Sequence, residues 1–420
     1  MYFCTNAFFY GDIVKVLGIV AEYNPFHNGH LYHLTESKKI SGAEYTIVVM
    51  SGNFVQRGDV AVLSKWERAK IAIDCGVDLV LELPFVYACN SAEFFAKGAI
   101  QILDGLSCVE LISFGSEIGE IGKLKEIANL VSHETSEFKQ NIKFSLDEGN
   151  SFPRARAEAI RKTTSNDLAE IIGHPNNILA VEYIKELMSQ RSNITPITVL
   201  RKGQADNSVK LAEDFASATG IRKSLEEHDD VEKIRQYVPA QCFDNMQSLN
   251  INIIEKNEKM FLLLCAKILS ESEKALEELF SAGEGLGNKL KKAIREAESL
   301  ENLIDIVKSK RYTRTRIQRL LIHTLFDFKR ADFQYILNNN LNYTRVLGFN
   351  NKGAKILKQV KKNESKIPVI TNLSKQITAD EKIMKLLWYD ILAADIYNLI
   401  SEKDIYDKSD FVVAPYNVKS

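Results

Sequence analysis

Two histidines three residues apart, with a glycine between them, carry the most specific chemistry in the chain: His27-Asn28-Gly29-His30. Both imidazoles flank one turn and can aim at the same phosphate. Adenylyl transfer passes through a state with extra negative charge on the α-phosphate oxygens. Donors held ready for that charge lower the barrier without a covalent intermediate. One such donor is typically worth about 3 kcal/mol, roughly a hundredfold in rate. His33 continues the spacing, so a metal set of His27, His30 and His33 is one competing reading, and plain structural histidines are another. No cysteine or carboxylate cluster lies nearby with zinc spacing, which favours the phosphate reading and no metal site.

Such a pair needs a strand before it and a helix after it. Val14-Lys15-Val16-Leu17-Gly18-Ile19-Val20 is apolar and β-branched enough for a buried strand. Asn24-Pro25 signals a turn, because the residue before proline is pushed out of helical space. Gly29 lets the backbone approach something closely. A helix beginning near Gly29–His30 would point free N–H groups and a positive dipole end at whatever sits above the strand's carboxyl end. In an open parallel sheet that is where ligands bind.

The rest of the first half fits that frame. Further strand-like runs are Tyr45–Met50, Asp78–Leu83, Val109–Phe114 and Ile194–Leu200, separated by helical patterns near 29–40, 64–75, 92–103 and 121–131. Strands alternating with helices predict an α/β fold with a mostly parallel sheet. After about residue 228 the period is 3.6 almost throughout, and only Val369-Ile370-Thr371 looks extended. The expected organisation is an extension at 1–13, an α/β domain at 14–228 and an α-helical domain at 229–420. The extension has two readings: an untranslated stretch before a GTG start read as Val14, or a frayed terminus.

Composition narrows the class. The chain has 420 residues, a net charge of −1 and six scattered cysteines without a CxxC pair. Reduced thiols in a cytoplasmic protein follow from that pattern. No apolar run reaches the roughly 18 residues a membrane helix needs. A nearly neutral chain can bind nucleic acid only through a local patch. GxxxxGK[ST], GxSxG and GxGxxG motifs do not occur in a suitable context, and no acetyl-CoA signature stands out.

The HxGH string resembles that of the nucleotidyltransferase superfamily that includes class I aminoacyl-tRNA synthetases. The longer string Gly18-Ile19-Val20-Ala21-Glu22-Tyr23-Asn24-Pro25-Phe26-His27-Asn28-Gly29-His30 is similar to one family within it, the bacterial tRNA(Met) cytidine acetate ligases. So is Met50-Ser51-Gly52-Asn53-Phe54-Val55-Gln56-Arg57-Gly58-Asp59, followed by Ser64-Lys65-Trp66. The resemblance implies a Rossmann-like parallel-sheet nucleotidyltransferase domain followed by an α-helical tRNA-binding domain. It implies ATP-dependent activation of acetate to acetyl-adenylate, then acetylation of the wobble cytidine of elongator tRNA(Met) to N4-acetylcytidine. It makes His27 and His30 catalytic and places ATP against Val20 through His30 and on through Leu31, Tyr32 and His33. Mg²⁺ would arrive with the ATP phosphates.

Four further segments supply candidates. Gly115, in Ser113-Phe114-Gly115-Ser116-Glu117, is an ATP contact by the resemblance and an ordinary strand-end glycine otherwise. Asn176 likewise is a nucleotide contact, unless Asn176 or Asn177 simply caps a helix. Arg201 closes a strand, and its planar fork suits phosphate. Ser217 and Thr219, in Ser217-Ala218-Thr219-Gly220-Ile221-Arg222, look like a related signature that handles the outer phosphates; Ser217 is also a good cap. In the loop Ser51–Asp59, Arg57 is a candidate partner for a carboxylate or phosphate, and so is Lys65 just beyond it.

The run Lys308–Arg319 carries Lys310, Arg311, Arg314, Arg316 and Arg319 without an acid, and Tyr312 is placed to stack on a base. It is the expected RNA contact, far along the chain from His27 and so expected not to affect the adenylation chemistry; a solvated helix face is the alternative. Two rival functions share the HxGH site: a small-metabolite adenylyltransferase, and a non-catalytic RNA-binding protein with a vestigial nucleotide site.

Overall fold

A computed structural model describes residues 15–202, 216–228, 230–249, 251–283, 285–373, 380–401 and 410–418. The extension expected at residues 1–13, and Val14, lie outside the described residues.

Five parallel strands form the sheet's main body: β1 (Val16–Ala21), β2 (Tyr45–Ser51), β3 (Leu79–Leu83), β4 (Leu111–Ser116) and β5 (Thr195–Leu200). They match the runs expected from the sequence to within two residues at most ends. Their order is β5-β4-β1-β2-β3. The chain steps outward from β1 to β2 and β3, then returns to the other side of β1 for β4. The direction of winding therefore switches between β1 and β4, which opens a crevice at their carboxyl ends. The pairings Val20↔Val49 and Gly18↔Ile112 fix the register.

These strands are apolar because both faces are covered. Ile47 and Val49 point into one core, while Val48 and Met50 point into the other, as the two-residue period of a strand requires. The Ala92–Gly105 helix supplies Phe95, Ala99 and Leu103 to the first core. The helices Asn28–Ser41 and Lys65–Asp74 supply Leu34, Ala69 and Ile73 to the second.

From Ala218 to Asn338 the described residues form helices, turns and loops, as the 3.6 period predicts. The chain then returns to the sheet: the extended reading of Val369-Ile370 holds, and two further strands that the 3.6 period did not disclose join it. Strand β6 (Thr344–Phe349) pairs antiparallel with β3, and β7 (Val369–Ile370) and β8 (Tyr416–Asn417) pair with β6. One sheet and one core thus take residues from both sides of the boundary expected near 228. Among the described residues no helix is long and apolar enough to cross a membrane.

β6 escaped the sequence reading because Arg345 interrupts its apolar run. That charge is buried and paired. Arg345 Nη1 lies 2.7 Å from Asp410 Oδ2, and Lys65 Nζ lies 2.6 Å from the same oxygen and 2.7 Å from Glu82 Oε1. All four side chains are at most 3% exposed. Lys65 is thereby assigned to the sheet's interior and not to a substrate. Lys65→Met would leave Glu82 and Asp410 buried without their shared cation. The expected cost is about 3–5 kcal/mol, read as a lowered urea midpoint at neutral pH. A midpoint within error of wild type would show that the cluster is not stabilised by Lys65.

Candidate active site at the carboxyl edge of the sheet

After β1 the chain turns through a cis Asn24-Pro25 bond. Asn24 and Phe26 are buried beneath the turn. Asn24 Oδ1 accepts from Val62 N at 2.8 Å, and its carbonyl accepts from Arg222 Nη1 at 2.9 Å. Tyr23, with a positive φ of 49°, packs its ring 4.6 Å from Phe26 and 4.9 Å from His30. Asn24, Pro25 and Phe26 shape the turn and do not line the cavity above it.

His27 is the N-cap of the Asn28–Ser41 helix. Its Nδ1 accepts from Gly29 N at 3.0 Å, while His30 Nδ1 accepts from His27 N at 3.2 Å. The two rings stack with centroids 3.7 Å apart. This is the capping-box pattern with imidazoles in both roles. A Cβ on Gly29 would sit 2.8 Å from His27 Cε1, so the close approach foreseen for this glycine is that of the His27 ring itself. Because each Nδ1 accepts a backbone N–H, the neutral rings carry their protons on Nε2. Burial, with His27, Arg201 and His33 as further contributors, holds His30 well below its ordinary pKa. A neutral imidazole at a helix N-terminus is a hydrogen-bond donor that stays neutral.

His33 does something else. Its Nε2 lies 3.2 Å from Ser113 Oγ on β4, which in turn bonds Ser37 Oγ at 2.7 Å. Burial, then Arg201, brings its pKa down to about 4. Asn28 donates to Gln236 O, away from the cavity.

The crevice holds a cavity of about 830 Å³, within the roughly 300–1,000 Å³ of small-molecule sites. Val20, Ala21, Glu22, Tyr23, His27, Gly29, His30, Tyr32 and His33 line it from the β1 side. Gly115, Asn176 and Arg201 line it from the β4 and β5 side, and Ser217 and Thr219 from a third. Leu31 does not reach it. Arg201 Cγ lies 3.1 Å from where a Cβ on Gly115 would be, and Arg201 Nη1 bonds Asn176 Oδ1 at 3.3 Å.

Neither Asn176 nor Asn177 is an N-cap, which corrects that expectation. His174 holds the cap position, and Glu117 accepts from the backbone N–H groups of both asparagines at 3.2 and 2.9 Å. Asn176 Nδ2 also donates to Glu117 at 2.7 Å. A carboxylate from the β4 end therefore satisfies the helix start, and Asn176 links Glu117 to Arg201. Ser217 does cap its helix, accepting from Gly220 N at 3.0 Å.

The basic run is not remote. Arg311, Arg316 and Arg319 line the same cavity as the histidines, so the expectation that it would be insulated from the chemistry is corrected. The Thr313-capped helix Arg314–Leu325 packs against the loop after β2: Gln318 Nε2 donates to Asp59, and Arg319 Nη1 to Gln56 O. Arg316 lies 4.7 Å from the Tyr312 ring. Arg314 faces outward and is held by Glu301 at 2.5 Å, and Lys310 is exposed. The sequence reading gave no site role to Glu22 beyond the ATP string, nor any to Gln56, Arg222 or Glu117. Their neighbourhood depends on contacts between segments 30 to 300 residues apart, for which no local pattern exists.

A helix-capped histidine pair above the switch point of a parallel sheet defines a nucleotidyltransferase-type site. The chain belongs to the HIGH Nucleotidyl Transferase family, matched over residues 14–410. A Thermoanaerobacter protein named tRNA(Met) cytidine acetate ligase is 41% identical over 94% of this chain and 98% of its own. A Caldicellulosiruptor saccharolyticus protein of the same name is 43% identical over 92% of this chain and 94% of its own. The crystal structure of Thermotoga maritima TmcAL bound with alpha-thio ATP superposes with a TM-score of 0.87 at 32% identity, covering 97% of this chain and 100% of that one. The apo form superposes at 0.89 with the same identity and coverage.

The depressed His33 gives a pH test. Unfolded, it binds a proton near its ordinary 6.5; folded, it does so only near 4. Between those values the unfolded state binds more protons, so stability falls as pH falls through the window. His33→Gln should flatten the pH dependence of urea unfolding between 6.5 and 4 by up to about 1.4 kcal/mol per pH unit. Identical slopes in the two proteins would show that His33 is not held neutral.

Proposed function

We propose that this chain is an ATP-dependent tRNA(Met) cytidine acetate ligase. An acetate oxygen attacks the α-phosphorus of ATP, the bond to the β-phosphate breaks, and pyrophosphate leaves. The N4 amine of the wobble cytidine of elongator tRNA(Met) then attacks the acetyl carbon, and AMP leaves. The observation that carries the reading is the reciprocal His27–His30 capping box, which presents two neutral Nε2 donors on the wall of one cavity. The relatives' shared name supplies the acid and the acceptor. The metabolite-adenylylating and vestigial-site rivals have no observation in their favour.

The proposed roles follow position. His27 and His30 donate to the α-phosphate as its charge grows. Arg201, steadied through Asn176 by Glu117, and the start of the Ser217-capped helix take the other phosphates. Gly115 leaves room for the Arg201 stem on the wall at β4. Mg²⁺ travels with ATP; the groups around these phosphate positions are donors and cations, so the ion would be held by phosphate oxygens and water. Arg311 and Arg316 would meet the RNA on a cavity wall where arginine and lysine outnumber glutamate, with the Tyr312 ring 4.7 Å from Arg316. A cytoplasmic location suits such a substrate.

The test is ATP–pyrophosphate exchange, which should require acetate and should not respond to a panel of other acids and nucleotides. His27→Asn keeps an oxygen able to cap Gly29 N–H, so melting temperature should hold while exchange falls by about a hundredfold or more. Normal exchange in this variant would remove His27 from the chemistry.

The arginines give a second test. Arg316→Gln should weaken tRNA binding and reduce its salt slope by about one unit. Arg314→Gln, whose parent is held by Glu301, should change neither. Equal effects from both would mean that the whole run is a diffuse electrostatic face.

A further inference from the structure

We propose that Glu22 is the base that takes the proton from the acceptor amine during acyl transfer; this rests on the acetyl-transfer reading above. The amino group of cytosine is conjugated with its ring and is a weak nucleophile. When its nitrogen bonds to the acetyl carbon, one N–H proton must leave, and AMP departs with the electron pair of the broken C–O bond. A proton acceptor placed beside the amine lowers that barrier, typically by about 10²–10⁴ in rate.

The histidines are poorly suited to the task. In His27 and His30, Nδ1 is occupied by a backbone N–H, so either ring could take a proton only by giving up its cap bond. His33 is turned to Ser113. Among the carboxylates on the cavity wall, Glu182 is engaged by Arg156 at 2.5 Å and by Lys185 at 3.1 Å. Glu93 pairs with Lys185 and is more than half exposed, and Glu134 follows the Ile121–Ser132 helix rather than β1.

Glu22 has the required placement. It follows β1 directly, at the switch point, five residues before His27, and it lines the shared cavity. Its Oε1 accepts from Gln56 N at 3.0 Å. A carboxylate offers about four acceptor positions, so that bond orients it without exhausting it. Its surroundings join both halves of the site. Its charge is felt across several elements: Arg57 and Asp59 of the loop after β2 and Arg222 of the Ala218–His228 helix act on it, and it acts on Tyr183 of the Pro175–Ser189 helix and on Cys89 before Ser91. Arg68 donates to its backbone carbonyl at 2.5 Å. Gln56, which fixes the carboxylate, also accepts from Arg319 on the basic helix. Glu22 thus lies between the adenylate site and the RNA side.

Burial raises the Glu22 pKa, opposed by Arg57 and Arg222, which moves the group towards neutrality and makes it a better base. The same placement selects the base. A carboxylate accepts from the N4 amine of cytosine, whereas uracil would set a carbonyl oxygen against it.

The experiment separates the two half-reactions. Full-length wild type, Glu22→Gln and Glu22→Asp are charged with ATP and labelled acetate, and transfer to a tRNA(Met) transcript is followed in a single turnover. ATP–pyrophosphate exchange is measured in parallel without RNA. In Glu22→Gln the ratio of transfer to exchange should fall by about a hundredfold or more, and the pH-dependent limb of transfer should vanish. Glu22→Asp should recover part of both, and it reads the same ratio if the Gln variant does not fold. A ratio within about tenfold of wild type in whichever variants fold would overturn the assignment. A wild type inert in acetate-dependent exchange would instead sink the acetate-ligase reading, and this inference with it.

Discussion

Two backbone N–H groups decide how this site works. The amides of His27 and Gly29 would be unsatisfied donors at a helix start, and each is met by an imidazole of the same four residues. That exchange fixes the ring positions, the stacking and the tautomer together. It also explains the spacing: the capping residue and the third helical residue must both be histidine, and the position between needs a residue with no Cβ to strike the first ring. The HxGH string is therefore a local folding unit as well as a chemical one. Its placement over the cavity follows from β1, whose central position in the sheet puts the turn at the switch point.

The local unit becomes a site only through distant contacts. Asn24 is gripped from Val62 and Arg222, the loop after β2 is gripped by Gln318 and Arg319, and Arg201 is steadied from β4 through Glu117 and Asn176. The residues that touch the cavity come from most of the chain's length. Each grip uses a side chain whose partner is a backbone group or a charge elsewhere, so positioning here depends on polar satisfaction in buried surroundings.

That division explains what the sequence disclosed. The five parallel strands were legible because each is an apolar run with both faces covered. The histidine pair was legible because its signal lies within four residues. β6 was not, because Arg345 reads as exposed until Asp410 is seen beside it. The asparagines at 176 and 177 read as caps because the true capping carboxylate is Glu117, some sixty residues earlier. The basic run reads as a separate surface because chain distance does not disclose spatial distance, and nothing local reveals that Gly58 packs onto the backbone of Gln318 and Arg319. The sequence reading succeeded where one segment holds the whole signal and failed where a charge has a distant partner.

The shared cavity has a chemical logic under the proposed function. Acetyl-adenylate is a mixed anhydride that water destroys, so the acceptor must be met where the anhydride forms, with solvent kept out. That demands two walls, one from the β1 edge and one from the helix Arg314–Leu325, held at a fixed separation; an error of about 1 Å in such positioning can cost about a hundredfold in rate. A sliding apolar contact would hold such a spacing poorly. The Lys65–Glu82–Asp410–Arg345 cluster joins β3, β6 and the chain's last described segment at points that cannot shift without stranding a buried charge. The polar contacts that reach the second wall run from Gln318 to Asp59 and from Arg319 to Gln56, so it is the loop after β2, the strand beside β1, that ties the helix Arg314–Leu325 to the edge carrying the histidines.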